Sequence, residues 1–395
     1  MIYFIVGLFL LIGFFLFDVV KLTKGKSLFY FLNFILLVLL AGLRYKTGGD
    51  SLAYQDMFDD IPNLSQLRLI DLQNAEFQPL WYLLNATIKS FGNSFTIFQL
   101  VHAIFVNGCI FYFFKKYSKH YFLAIVLYYL FGYTYFNMEI LREAIAICIF
   151  LLSVNFLLKK KYIPYFITIL IAFGFHLSAF ILFFIPIALF FVSKKFSWWN
   201  ILILISLISI VGSLSLLLNL ASFLSSEIQS DVMLTKVEHY TSAKLNLNGL
   251  IMILFKLLPI ILLVLLNNKI DIAEENQHYW RKFLAIYFIL FTLAIIQPGL
   301  FERFQNYLFP FYLLSIVQYY DSLYVSSNNL HRKKTYYRII ILCLLITQTY
   351  YYTRDMSMYA SKGTRFYHLY YPYISVFDPY EIGNREILFY NQLGD

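Results

Sequence analysis

Two apolar runs joined by three lysines set the terms for this chain. From Arg142 to Lys159 a helix would span roughly 25 Å, and from Tyr162 to His176 roughly 21 Å. Between them stand Lys159, Lys160 and Lys161. A bilayer's hydrocarbon core is about 30 Å thick. The stretch from Asn137 to Ser178 therefore reads as a membrane hairpin, with the lysines at one face. Arg142 and His176 then meet near the other face, where a cation and an imidazole are costly unless they bind something.

The rest of the chain repeats that pattern. It is 60% hydrophobic and only 13% charged, with no soluble-sized stretch between apolar runs, so one integral membrane domain is expected. The net charge of +9 would suit nucleic acid. The basic residues instead gather in short loops, such as Lys21, Lys24 and Lys26, Lys115, Lys116 and Lys119, Lys194 and Lys195, and Arg332, Lys333 and Lys334. That is the positive-inside pattern, and it argues against a nucleic-acid partner. Cys109, Cys148 and Cys343 lie inside apolar runs and read as small buried residues, without disulfide or metal spacing.

The charge pattern predicts an all-α, polytopic membrane protein of about twelve transmembrane helices. Residues 1–352 form a single membrane domain, and 353–395 an outer-face tail. Met1–Val20 lacks a basic leader and is followed by lysines, which predicts a retained first helix. Two longer polar segments, about 44–94 and 221–248, become outer loops. Within the first, the EFQPLWYLLNATIKSFG segment predicts a short amphipathic helix at the interface, with Trp81 and Tyr82 suited to that depth. The QPGLFER segment predicts a turn, with a helix starting at Arg303.

Sorting polar residues by face brings Arg44, Asp50, Tyr54, Glu76, Glu139, Arg142, His176, Glu302 and Arg303 to the outer side. Converging guanidinium groups suit an anionic ligand, phosphate above all. The carboxylates and His176 supply candidate general bases. Together they point to chemistry on a lipid-linked diphosphate. Lys256, within its apolar run, lies within reach of the same charge.

Four segments also resemble a known family: LRYKTGGDSLAYQDMF, EFQPLWYLLN, LREAIAICIFLL and AFGFHLSAFIL. They are similar to the arginine-glycine-aspartate-tyrosine loop, the glutamate-proline step, the arginine-led alanine-rich helix and the phenylalanine-histidine pair of EpsG-like, Wzy-type polysaccharide and O-antigen polymerases. The resemblance covers roughly residues 40–190. It implies a membrane glycosyltransferase of the bacterial cytoplasmic membrane. Such an enzyme moves a growing glycan from undecaprenyl diphosphate onto a second lipid-linked repeat unit at the outer face. Donor and acceptor would be undecaprenyl-diphosphate-linked oligosaccharides; membrane lipid, a flippase and a chain-length regulator are the other expected partners. No cofactor and no metal are expected.

On this reading Arg142, Arg303, Arg44 and Lys256 bind diphosphate. His176, Asp50 and Glu76 compete for the proton-transfer role, and Tyr54 and Glu139 contact sugar. Each residue also has a plainer explanation. Arg142 and Lys256 could snorkel, His176 could satisfy a carbonyl between helices, Arg44 could be a solvated loop residue, and Asp50 could cap its own turn. Tyr54 could belong to an interfacial aromatic belt, and Glu76 could open a helix. The alternatives in function are a flippase, which would place charges nearer the midplane, and a membrane sugar acyltransferase.

Overall fold

The computed structural model describes residues 1–73, 77–192, 200, 204–207, 247–267, 276–325, 330–355 and 365–380. Every regular element among them is helical, and the only extended pairings are two isolated bridges. Three helices are long and apolar enough to cross a membrane: Ile2–Val19, Phe95–Tyr117 and Leu141–Leu158. Five shorter apolar helices accompany them. The second outer loop expected at 221–248 falls almost wholly outside the described residues, as does Glu76.

The chain divides into two compact units, Met1–Phe183 with Gln348–Asp395, and Phe184–Thr347. The first begins with α1 (Ile2–Gly13), which continues as a π-helical turn to Val19. Next come α2 (Lys26–Gly42), α3 (Ser51–Asp60), α4 (Leu69–Gln73), α5 (Pro79–Phe91), α6 (Phe95–Tyr117) and α7 (Tyr121–Phe131). A π-helical turn at Tyr135–Glu139 leads into α8 (Leu141–Leu158), and α9 (Tyr162–Phe173) completes the hairpin expected from the three lysines.

α8 is largely apolar and most of it is buried, which places it at the centre of the unit. α6 packs on both α2 and α8, and α9 packs on α8. The interior also holds polar groups, and these pair with one another. Asn107 donates to Asn137 at 2.8 Å, and Asn137 donates to the Tyr128 hydroxyl at 2.8 Å. The outer helices are the reverse. Phe4 is 74% exposed and Ile163 77% exposed. Apolar surface of this extent is unfavourable in water and suits contact with lipid.

The second unit holds α10 (Ile185–Phe191), α11 (Leu247–Asn267), α12 (Gln277–Ile296), α13 (Pro298–Val325) and most of α14 (Leu330–Thr353). The segment expected to run as one crossing from Leu177 instead starts as a 3-10 helix, Leu177–Phe184, before α10. α12 and α13 pack as a hairpin through ring pairs. Phe283 stacks on Phe311 at 4.2 Å, and Tyr287 stacks on Tyr312 at 4.8 Å. The helix expected to start at Arg303 starts at Pro298, because proline lacks the N–H that a first helical residue leaves unpaired anyway.

Residues 365–380 are no loose tail. They return to the end of α2 and pair with the first outer loop. Tyr45 N–H donates to the Ile374 carbonyl at 2.9 Å, and Val376 N–H donates to the Leu43 carbonyl at 3.0 Å, around an antiparallel bridge between Arg44 and Ser375. Gly48 N–H donates to the Leu369 carbonyl at 2.9 Å, and the Tyr373 hydroxyl donates to the Leu40 carbonyl at 3.1 Å. A loop with too little apolar surface to fold by itself is thereby held by backbone bonds.

Candidate active site

The site grows from that pinned loop. Arg44 follows α2 and turns inward, 1% exposed. Its Nε donates to the Thr47 carbonyl at 3.1 Å and its Nη1 to the Ala41 carbonyl, while Nη2 has no partner. Burial pulls its pKa down to about 10. Gly48 then adopts φ +113°. A Cβ there would lie 2.8 Å from the Met138 carbonyl oxygen, so only glycine fits. This close approach brings the loop against the π-helical turn that carries Glu139.

Asp50 occupies the N-cap position of α3, yet its side chain does not make the capping bond. It is exposed, and one turn later stands Tyr54. Burial raises the Tyr54 phenol above its ordinary value, the Arg142 charge opposes that rise, and Asp50 adds to it. The three groups therefore share one electrostatic neighbourhood. Trp81, expected at the interface, is fully buried instead. It packs edge-on against Tyr54 and Phe98, and its indole N–H meets the Met57 sulfur. It anchors α5 against α3 and α6, which is how the loop's amphipathic helix is held.

Arg142 lies in the first turn of α8 and is half-buried. Its guanidinium carbon sits 3.9 Å from the centroid of the Phe77 ring, and its Nη1 reaches Gln78 Oε1 at 3.4 Å. Its Nε is buried without a partner, and no carboxylate pairs with it among the described residues. Glu143, next in sequence, is buried in the same first turn. Consecutive helical positions do not face each other, so adjacency alone does not neutralise Arg142.

Glu139 is 9% exposed. The Tyr351 hydroxyl donates to its Oε2 at 3.4 Å, and its Oε1 has no partner. Burial, reinforced by the neighbouring Asp50 charge, pushes its pKa up to about 8, against the Tyr351 hydrogen bond and the Arg354 charge. Its carboxyl is therefore largely protonated at neutral pH. Arg354 lies over the rings of Tyr351 and Phe366, 4.6 and 4.5 Å from their centroids.

His176 joins through α5. Leu80 N–H donates to the Gly174 carbonyl at 3.0 Å, two residues before the histidine, while Gln78 contacts Arg142. The imidazole is buried, with Nδ1 at 2.6 Å from Ser178 Oγ and 3.3 Å from Ser178 N. A backbone N–H can only donate, so Nδ1 carries the lone pair and the neutral ring keeps its proton on Nε2. In this state Nε2 offers a donor.

Of the residues expected from sequence, one neighbourhood thus gathers Asp50, Tyr54, Glu139, Arg142 and, through the α5 entry, His176. Arg44 supports it from below. Lys256 and Arg303 belong to the second unit, where both are exposed, Lys256 on α11 and Arg303 on α13. Sequence reading missed Phe77, Gln78, Tyr351 and Arg354. An aromatic beside the glutamate-proline step and an arginine after a run of tyrosines were the available signals.

A model of the EpsG family matches residues 27–375. The chain belongs to the EpsG family. The match begins in α2 and ends at Ser375, the residue that bridges Arg44, so it takes in the whole pinned loop. No curated protein and no solved structure matches the chain significantly. EpsG membership suggests a polysaccharide polymerase acting on lipid-linked saccharides in a membrane. For this EpsG protein the matched region also includes Tyr351 and Arg354, which the sequence motifs had not marked.

Proposed function

We propose that this protein extends a polysaccharide at the outer face of the bacterial cytoplasmic membrane, moving the glycan from undecaprenyl diphosphate to the terminal sugar of another lipid-linked repeat. One observation carries the reading: a half-buried guanidinium, stacked on Phe77, has a buried Nε without a partner and no carboxylate against it among the described residues. A cation held in that way is ready for an anionic ligand, and a planar fork suits diphosphate.

In the proposed reaction an acceptor hydroxyl oxygen bonds to the anomeric carbon. The bond from that carbon to the diphosphate oxygen breaks, and the diphosphate leaves with the electron pair. Arg142 faces the charge that develops on the leaving group; Arg303 and Lys256 stay diphosphate candidates on their sequence positions alone. The hydroxyl's proton passes to a carboxylate, for which exposed Asp50 is better suited than buried Glu139; Glu76 stays a candidate on its sequence position. His176, with Nε2 as donor, orients the acceptor rather than deprotonating it in this tautomer. The protonated Glu139 carboxyl and Tyr54 contact sugar oxygens. Arg44, its donors turned to backbone carbonyls, shapes the loop that presents Asp50.

Purified protein in liposomes with lipid-linked repeat units tests the reading. Longer glycans are expected, and they should form in excess chelator if guanidinium groups carry the diphosphate charge. Translocation without elongation would make it a flippase, acylated sugar an acyltransferase. Activity lost to chelator and restored by magnesium would turn Asp50 and Glu76 into ligand candidates.

A further inference from the structure

The second unit carries a second cluster of cations, apart from the residues above. The end of α13 and the start of α14 enclose a cavity of about 270 Å³ lined by Tyr320, Leu323, Leu330, Lys334, Tyr337 and Arg338. Lys334 and Arg338 are one helical turn apart and share a face of α14. Like charges at that spacing repel each other. Neither has a carboxylate partner among the described residues. The neighbouring cation is differently employed: Arg332 donates to the Tyr336 hydroxyl at 3.1 Å. The cavity floor is fixed, because the Tyr319 hydroxyl donates to the Lys333 carbonyl at 3.2 Å and the Tyr320 and Tyr337 rings meet at 5.5 Å.

Along α14 the same face turns apolar. Leu342, one turn beyond Arg338, is 58% exposed, and Leu345 follows it, 41% exposed. Two cations over a small cavity, then an apolar stripe running up the helix, have the polarity of a phospholipid lying against a membrane helix. The charge pattern also assigns this end of α14 to the cytoplasmic leaflet, where anionic lipids attract basic residues.

We infer that Lys334 and Arg338 hold the phosphodiester headgroup of one anionic phospholipid, whose acyl chain lies along Leu342 and Leu345. The lipid relieves the repulsion between the two cations and covers the seam between α13 and α14.

Full-length protein in nanodiscs of phosphatidylcholine with phosphatidylglycerol, then released into mild detergent and examined by native mass spectrometry, tests this. Wild type is expected to retain one phosphatidylglycerol and no phosphatidylcholine. Lys334→Gln with Arg338→Gln should weaken retention about thirtyfold, taking about 1 kcal/mol for each basic residue near the surface. The swap Lys334→Arg with Arg338→Lys should keep it, which separates lost charge from lost folding. Lys159→Gln with Lys160→Gln, in the other lysine loop, should have no effect. Equal retention of phosphatidylcholine, equal loss in both glutamine pairs, or full displacement by millimolar inorganic phosphate would each overturn the inference, the last by reducing the site to one for free phosphate.

Discussion

Arg44 follows α2 and Arg142 opens α8, two helices of one unit that both pack on α6, and the structure uses them in different ways. Arg44 is enclosed, with Nε and Nη1 on the Thr47 and Ala41 carbonyls and Nη2 buried without a partner. Arg142 is half-buried, stacked on an aromatic ring, and keeps a buried Nε without a partner. A guanidinium closed off from solvent and tied to two backbone carbonyls holds a loop in place; one that is half-buried and oriented by a ring can receive a ligand. Residue type and unit are shared, so it is burial and the kind of partner that distinguish scaffold from site.

The sharpest way to break this contrast is to remove each arginine and read rate and stability separately. Arg142→Ala is expected to lower polymer formation by roughly a hundredfold or more, the usual consequence of deleting one preorganised donor. Its thermal stability should change little. Arg142→Lys keeps the charge without the fork and should also fail. Full activity of the lysine variant at normal protein levels would make Arg142 a snorkelling residue and remove the distinction from Arg44.

Arg44→Ala should act in the reverse sense. It leaves two carbonyls unpaired in the interior, at about 1–3 kcal/mol for each, so the expected result is a lower melting temperature in detergent and reduced yield. Any activity lost should follow the fraction of folded protein. A variant of normal stability with no activity would move Arg44 from the scaffold to the ligand.

The Arg44 loop offers a finer version of the same comparison in two adjacent glycines. Gly48→Ala forces a Cβ into φ +113° and to 2.8 Å from the Met138 carbonyl. Such a strained backbone costs of the order of 1–3 kcal/mol. At Gly49 a Cβ would meet Glu139 only at 3.6 Å, an ordinary contact. Measured by thermal unfolding, Gly48→Ala should destabilise and Gly49→Ala should not. Equal effects would mean the loop is not held by the approach to Met138.

How much of this was legible in the sequence follows the range of the forces involved. The α8–α9 hairpin was readable from Lys159, Lys160 and Lys161, and α5 from its proline and amphipathic pattern, because both signals are local. The start of α13 was misplaced by five residues since Arg303 drew more weight than Pro298, although proline is the stronger local signal. Trp81 was assigned to the interface by residue type, whereas the space between Met57, Tyr54 and Phe98 decides its burial. The return of residues 365–380 to the loop left no trace in periodicity. It consists mainly of backbone bonds joining distant residues, as for Val376 and Leu43, and of the Tyr373 hydroxyl on the Leu40 carbonyl, 333 residues away. The proximity of Arg142, Tyr54, Asp50 and Glu139 depends on that return and on the π-helical turn, so sequence could name those residues without giving their arrangement.

The smallest expected effect at neutral pH, Glu139→Gln, tests the carboxyl beside these arginines. Its pKa is raised from 4.5 to about 8, by burial first and the Asp50 charge second. A proton retained by the fold and lost by the unfolded chain makes stability fall as pH rises. Glu139's contribution is therefore complete below pH 4.5 and disappears as pH climbs towards about 8. Glutamine keeps the shape and a donor but cannot ionise. If the neutral carboxyl contacts sugar, Glu139→Gln should polymerise at near wild-type rate at pH 7 and lose the wild type's decline in rate and melting temperature on the alkaline side. Asp50→Asn, by removing the charge that helps raise the pKa, should make the stability decline smaller and end it at lower pH, while impairing turnover in its own right. A Glu139→Gln enzyme that is inactive at pH 7 would show that the carboxylate form is needed. Proton acceptance would then pass from Asp50 to Glu139, while the roles proposed for Arg142, Tyr54 and His176 would stand.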